Sequence, residues 1–452
     1  MSNCEQILRK AIALHVDECE AAYIKKKITT VRITDSEIAE IKQNNDQGIG
    51  VRLITEKKIL SAFSTNIEEK DLVERALQTR YFLQPKSFWK SLPHYLQVSK
   101  IEKTYDRKLE EITGREAIEI ANIMIDSALH QKIKRISGSL NIVSEDFEIS
   151  NTNGVNYSDK ATYIAGTINA DSDHGNIPVS GIGAMSCRTR DSFSPNQVGI
   201  EAKEMCVNSI NPQNCEPDTY SIIFEPYAIG EMLAFVFASN FNLKTYSEKR
   251  SCFTDRLGKK ISIEQFSLTD NPHHPDGIGS KSFDDEGTPT KIRHLVKDGI
   301  FSNTYSDSFY AFKEDLESTG NASRMGTPMG RAADPIPVPT PHNLTIDSGE
   351  IGRDDMIKNT RKGLLVGRLW YTYSVNPERG DFSCTARSGV RIIENGKIVS
   401  AGKPFRIIHN LPMLLQNISG IGKDSRNVLQ WSALPCVTPS IKVDRIKITA
   451  IQ

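Results

Sequence analysis

Apolar side chains near the start of the chain change their spacing from helix-like to strand-like and back. Ile7, Leu8, Ala11, Ile12 and Leu14 recur at helical spacing with charged residues between them, which predicts a helix over residues 3–18. Residues 31–34 and 37–41 then alternate as half-buried strands do, and so do 48–54 and 59–63, with Glu56, Lys57 and Lys58 as a turn between them. Helical spacing returns over 68–83 through Leu72, Val73, Ala76, Leu77 and Phe82. Helix, strands, helix is the pattern of a helical layer on a sheet.

Residues 84–102 have no clear period and hold Pro85 and Pro93, so a linker is expected there. Thr113-Gly114-Arg115-Glu116 is a capping box and predicts a helix to about residue 133. Residues 140–149 and 155–170 alternate on either side of Asn153-Gly154, which predicts a type I′ hairpin. A further amphipathic helix is expected over 195–210, with Pro212 and Pro217 marking a boundary. Beyond it come a short strand, 221–224, and an apolar helix, 226–240, with Leu233, Phe235, Val236 and Phe237 in its core face. Asp298-Gly299 and Asn395-Gly396 are hairpin signals, and Pro335, Pro337, Pro339 and Pro341 predict an extended connection. The class read from these patterns is α+β. It divides into an N-terminal helix-on-sheet domain (1–100), a central α+β segment (101–215) and a larger, mainly antiparallel C-terminal domain (216–452).

Composition narrows the function. The 452 residues include 56 basic and 56 acidic side chains, and this balance speaks against a nucleic-acid partner. The Lys25-Lys26-Lys27 run reads as a solvated stretch. The most apolar segment, 228–238, contains Glu231 and falls short of the ~20 residues that span a bilayer. The N-terminus reaches Glu5 at once and lacks a signal-peptide pattern. Eight dispersed cysteines with no Cys-x-x-Cys pair suit reduced thiols, so a cytoplasmic protein without a membrane partner is expected.

Familiar catalytic patterns are missing. The Gly-x-Gly pairs at Gly48/Gly50, Gly181/Gly183 and Gly420/Gly422 lack the third glycine of a dinucleotide fingerprint. No two histidines have the helical spacing that would give a metal two ligands from one face. The best local cluster is His273-His274 near Asp270 and Asp276, read as a polar loop in preference to a metal site. Asp284-Asp285-Glu286 has the donors for a hard cation but reads more simply as an acidic turn. His409 and Cys436 read as structural.

The final third carries a more specific pattern. Gly380-Asp381-Phe382-Ser383 leads to Gly389-Val390 and to Glu394-Asn395-Gly396. Upstream stand Thr269-Asp270-Asn271-Pro272, Phe283-Asp284-Asp285-Glu286-Gly287 and Ser318-Thr319-Gly320-Asn321-Ala322, and in the first domain Gly48-Ile49-Gly50-Val51-Arg52. Together these resemble the TldD/PmbA family over nearly the whole chain. The resemblance implies a cytoplasmic two-subunit peptidase that encloses short or unfolded peptides. Its TldD-type subunit carries His-Glu-x-x-x-His on a helix and a third, cysteine ligand near the C-terminus. The glutamate beside the metal would activate its bound water.

In the register set on Gly230, Pro226 stands at the first histidine place, Tyr227 at the glutamate and Glu231 at the second histidine. No histidine lies between His174 and His273, so a shifted register does not restore the motif. The chain therefore resembles the metal-free TldE/PmbA-type subunit. That implies no catalytic residue and no cofactor in this chain, zinc in a TldD-type partner, and an unfolded peptide as substrate. A stand-alone binding protein or homodimer, and a peptidase with an unrecognised metal site, are the alternative readings.

Overall fold

In the computed structural model, which describes residues 2–69, 71–429 and 434–451, the short alternating segments of the first part fuse into long strands. Helix α1 (Asn3–Ala13) opens on Ser2, whose hydroxyl accepts the Glu5 amide while the Glu5 carboxylate accepts the Ser2 amide. Strands β1 (Glu18–Thr34) and β2 (Glu37–Thr55) follow, then β3 (Lys58–Ser64). Residues 43–47 of β2 are polar and mostly exposed, yet they stay in the ladder, with Thr29 opposite Gln43 and Ile24 opposite Gly48. A ladder needs only backbone groups, so such a stretch leaves no period to read. The turns Asp35-Ser36 and Glu56-Lys57 both hold positive φ at both residues, the type I′ geometry, without a glycine.

Helix α2 (Leu72–Gln78) is shorter than expected, and residues 83–106 are irregular, although Trp89 and Leu92 within them are buried. The short helix α3 (Arg107–Glu110) precedes α4 (Gly114–Ala128), which starts on the expected Thr113–Glu116 capping box. Strands β4 (Arg135–Asn151), β5 (Asn156–Ser172) and β6 (Val179–Cys187) lead to helix α5 (Pro195–Val207). The β4–β5 turn is not type I′. Only Gly154 has a positive φ there, because the Asn151 side-chain oxygen accepts the amides of Asn153 and Val155 and widens the loop.

All six strands form one antiparallel sheet in the order β3-β2-β1-β4-β5-β6. Since β1 pairs with β4 from Glu20/Asn151 to Ile33/Gly138, the expected divide at residue 100 separates no sheet. What changes there is the helical cover. α1 and α2 pack on Val51, Leu53 and Leu60, whereas α4 and α5 pack on Ile136, Leu140, Ile164 and Ile168. Gly183 is needed for that second contact, because a Cβ there would lie 1.9 Å from the Val198 carbonyl oxygen of α5. One of the three Gly-x-Gly pairs thus serves helix-on-sheet packing. The opposite face of β4–β6 carries small and polar side chains, among them Ser139, Asn141, Thr167 and Ser186.

Among the described residues the rest of the chain is built on two mainly antiparallel sheets, one of nine and one of six strands, with a small two-stranded sheet beside them, and it holds the largest hydrophobic core. At the centre of the larger sheet, β7 (Thr219–Phe224) runs parallel to Lys362–Val366 and antiparallel to Ile441–Ala450. Asp298-Gly299 and Asn395-Gly396 are two-residue turns with both φ values positive, as expected.

Helix α6 (Pro226–Met232) leaves β7 with Pro226 in its first turn, where the missing N–H breaks no helical bond. It does not continue to residue 240 as a regular helix. Residues 233–237 form a wider turn and 238–241 a tighter one. Leu233, Val236 and Phe237 enter the core as expected, but Phe235 is only half-buried, because the wider turn rotates it off the buried face. Among the described residues no helix is long and apolar enough to cross a membrane.

Candidate functional site

A cleft of about 590 Å³ lies between the polar face of β4–β6 and the C-terminal part. Its floor includes Ser139, Asn141, Thr167 and Ser186, and its wall Tyr227 from α6, Arg368, Trp370 and Arg426. The strand Arg368–Asn376 packs against α6 and so carries Arg368 and Trp370 to that wall. The Arg368 guanidinium lies 4.4 Å over the Trp370 ring and 5.9 Å over that of Tyr227. Arg426 bridges the two halves, donating to Glu201 Oε1 and to the Ala184 carbonyl, each at 2.7 Å.

The structure separates the three degenerate-motif positions by depth. Pro226 is half-buried at the helix start, Tyr227 lines the cleft, and Glu231, one turn on, is 3% exposed. Glu231 Oε2 has no hydrogen-bond partner among the described residues. Burial pushes this carboxyl up from 4.5 to about 7, against the opposing charge of Arg368. Burial likewise raises the Tyr227 phenol and lowers the Arg368 guanidinium. Cys436 also meets this helix, its Sγ 3.9 Å from the Gly230 carbonyl oxygen, and burial pushes its thiol up as well.

Glu231 sets a testable pH dependence. Between pH 4.5 and about 7 the folded chain keeps a proton on Glu231 that the unfolded chain gives up, so this group's stabilising contribution falls as pH rises through that window. Glu231→Gln cannot ionise and is expected to lose that slope. Its stability relative to the native chain should rise by about 3 kcal/mol between about pH 5 and about pH 8, as read from urea unfolding. A difference that stays constant across that range would show that the carboxyl ionises normally.

The acidic turn lies inside the protein, where the chain's own cations meet it. Asp284, Asp285 and Glu286 are fully buried, and each carboxylate is engaged. Asp284 accepts the amides of Glu286, Thr288 and Ala322. Asp285 meets Lys281 Nζ at 2.9 Å, Arg331 Nε at 3.0 Å and the Arg324 amide at 2.7 Å. Glu286 takes Arg52 Nη1 at 2.6 Å, and the same guanidinium reaches Glu20 at 2.7 Å. Arg324 returns to Glu20, and Arg331 to Glu145 at 3.1 Å and Asp159 at 2.9 Å. Burial opposes ionisation of Asp285, but Lys281 and Arg331 overcome it and hold the group below the usual carboxylate range. The turn is therefore a charged hub that fastens the C-terminal part to β1, β2, β4 and β5.

Lys26 belongs to this junction. It is 5% exposed and donates to the carbonyls of Met329 and Arg331 at 2.6 and 2.9 Å, so the middle lysine of the run is not solvated, while Lys25 is exposed as expected. The partners of Lys26 are fixed by tertiary structure, which a run of like charges does not signal. His273 meets Thr290 Oγ1 at 3.1 Å, while His274 is half-buried with Nδ1 lacking a partner among the described residues. The structure does not assemble His273, His274, Asp284, Asp285 and Glu286 into one centre. Among the described residues no three His, Cys, Asp or Glu side chains are grouped to hold a metal ion.

Residues 217–450 match the PmbA/TldA metallopeptidase C-terminal domain, and residues 19–79 match PmbA/TldA metallopeptidase domain 1. The chain belongs to the PmbA/TldA (TldD/PmbA) metallopeptidase family. It is 24% identical over 438 residues to the metalloprotease PmbA of Escherichia coli O157:H7, covering 94% of this chain and 92% of that protein. It is 26% identical over 419 residues to a metalloprotease TldD homolog of Buchnera aphidicola subsp. Acyrthosiphon pisum, covering 87% of this chain and 82% of that one. Among solved structures it resembles TldE from Thermococcus kodakarensis, with a TM-score of 0.89 at 22% identity over 99% of this chain and 100% of that one, which supports the common fold.

The residues at the start of α6 do not fit the family's metal. Proline offers no donor, and no imidazole stands at Pro226, Tyr227 or Glu231. A catalytic zinc needs about three ionised or imidazole ligands.

Proposed function

We propose that this chain is the metal-free, TldE/PmbA-type subunit of a two-subunit peptidase. It pairs with a metal-bearing TldD-type subunit, closes the chamber and holds unfolded peptides there. The reading is carried by the opening of α6, which holds Pro226, Tyr227 and a buried Glu231, the residues that the register on Gly230 sets against the family's histidine–glutamate–histidine places. Strand β2 adds support. β3 pairs only with residues 49–55 of β2, so residues 37–48 have an edge without a strand partner among the described residues. An extended peptide can add to such an edge through backbone hydrogen bonds.

Co-purification from the native host tests the pairing. The tagged chain is expected to bring down a second family member carrying His-Glu-x-x-x-His. Elemental analysis should find about one zinc per partner chain and none that stays with this chain after separation. Stoichiometric zinc on the isolated chain, lost on substitution of His273 and His274, would overturn the reading.

A further inference from the structure

The nine-stranded sheet is covered on its inner face but only in part on its outer one. Inside, Phe382, Cys384, Phe405, Ile407 and Ile448 enter the main core. Outside, the helix Arg353–Lys358 covers one end, setting Met356 and Ile357 on Ile223, Leu365 and Ile393. The other end consists of the strands Arg368–Asn376, Asp381–Ser388, Phe405–Asn410 and Ile441–Ala450, paired in that order. Tyr373, Ser383 and Ile408 stand opposite one another across three of them, so their side chains share a face. Tyr371, Tyr373, Val375 and Ile408 are 70%, 45%, 56% and 61% exposed. Every exposed charged side chain of these four strands is a cation: Arg387, Arg406, Arg445 and Lys447. Among the described residues none of the four is in an ion pair. The strands' two acids, Asp381 and Asp444, are half-buried and engaged, by Arg379 at 3.3 Å and by the Ser221 hydroxyl at 2.6 Å. Arg406 donates to neutral groups, Ser383 Oγ at 2.9 Å and the Tyr373 hydroxyl at 2.8 Å.

We infer that this bare face docks a second, different protein chain, whose surface is apolar at its centre and acidic around it. This rests on the reading of the chain as one subunit of a pair, and the occupant is the metal-bearing partner. Exposed tyrosines set around an arginine have the composition of an interface centre. Four cations without counter-charges call for an acidic partner. Two copies of this chain meeting through the face would set those cations against each other. The contact is made by the face and not by adding a strand. The edge strand Arg368–Asn376 shifts register in three places, and Tyr371 takes a positive φ, which blunts that edge. At ~4.8 Å between strands and ~3.3 Å per residue, the bare area measures roughly 15 by 20 Å. That is about 300 Å², the centre of an interface but short of the ~800 Å² each partner of a stable pair contributes, so the contact extends past the sheet.

The test captures the partner from the native host with the tagged full chain. Mass spectrometry measures the family member carrying His-Glu-x-x-x-His per tagged chain. The native chain is compared with Ile408→Glu and Arg406→Glu on the face, and with Val399→Glu, an exposed apolar position on the strand at the opposite edge of the same sheet. Ile408→Glu and Arg406→Glu are each expected to capture at least about 10-fold less partner, and Val399→Glu as much as the native chain. All three positions are exposed, and an unchanged urea midpoint shows that the variants fold. Arg406→Gln, which removes the charge without reversing it, is read in place of Arg406→Glu if that variant does not fold. Equal capture by the native chain and both face variants overturns the inference and leaves the subunit reading standing. Capture of no such family member by the native chain faults the subunit reading and removes the assigned occupant with it. A pure native chain that is a dimer in light scattering, and a monomer after Ile408→Glu, would make the occupant a second copy and overturn the assignment to a different chain.

Discussion

Mixed with a family member that carries His-Glu-x-x-x-His, the chain is expected to support cleavage of an unfolded peptide, and by itself to give none. The size of this difference follows from the chemistry. A metal-bound water is the nucleophile in the reaction class the family name denotes, and enzymes of this kind accelerate their reactions by roughly 10⁶-fold or more. Nothing at the start of α6 supplies an equivalent, since no imidazole stands there and its two carboxylates are otherwise placed: Glu225 pairs with Arg353 at 2.8 Å, and Glu231 is buried with its pKa raised. Removing Glu231 should therefore cost the mixture little, and Glu231→Ala is expected to keep most of the activity. The measurement is product formation from a fluorogenic unfolded peptide, with and without chelator. Chelator-sensitive cleavage by this chain alone, abolished by Glu231→Ala, would place the catalytic centre here.

Replacing Arg52 with alanine is expected to cost about 3–5 kcal/mol of stability, a large share of the 5–15 kcal/mol typical of a folded domain. The guanidinium is 2% exposed and joins Glu20 and Glu286, which are 1% and 0% exposed. Its loss leaves two buried carboxylates without their shared counter-charge. Burial opposes the ionisation of Glu286, but Arg52 and Ser308 hold its folded pKa below the ordinary 4.5. Its contribution is thus present above that ordinary value and is lost as pH falls through the lower, folded one. The Arg52→Ala deficit should accordingly be largest near neutral pH and shrink in acid, where the stranded carboxyls take up protons. Urea unfolding at several pH values reads both the size and the trend. A loss below about 1 kcal/mol would mean that water or a neighbouring cation replaces Arg52.

Much of the local structure was legible because its causes are local. The Thr113–Glu116 box, the Asp298-Gly299 and Asn395-Gly396 turns, and the start of α6 at Pro226 each depend on a few adjacent residues. Residues 43–47 were not legible as strand, since backbone pairing with β1 holds them and no apolar period marks them. The candidate site was legible in part. Tyr227 and Glu231 were marked by the family register, but Arg368 and Trp370 stand in no motif and reach the cleft only through the packing of their strand on α6. The charged hub was visible in pieces. Gly48–Arg52 and Phe283–Gly287 both read as family landmarks, and the structure supplies the reason for both at once, the contact of Arg52 with Glu286.

That contact also constrains how the molecule can be made. Arg52 and Glu286 are 234 positions apart, and Glu20 and Arg324 are 304 apart. A ribosome therefore releases Glu20 and Arg52 long before their distant partners exist. Until then the open end of the β1–β2 hairpin presents Glu20 and Arg52 to water on one face, while α1 and α2 cover only the other. The first sheet should stay unlocked through most of synthesis and close only when the region around residue 331 has emerged. Final assembly is then an event of the whole chain, in contrast to the N-terminal-first order usual for proteins whose domains fold as separate units.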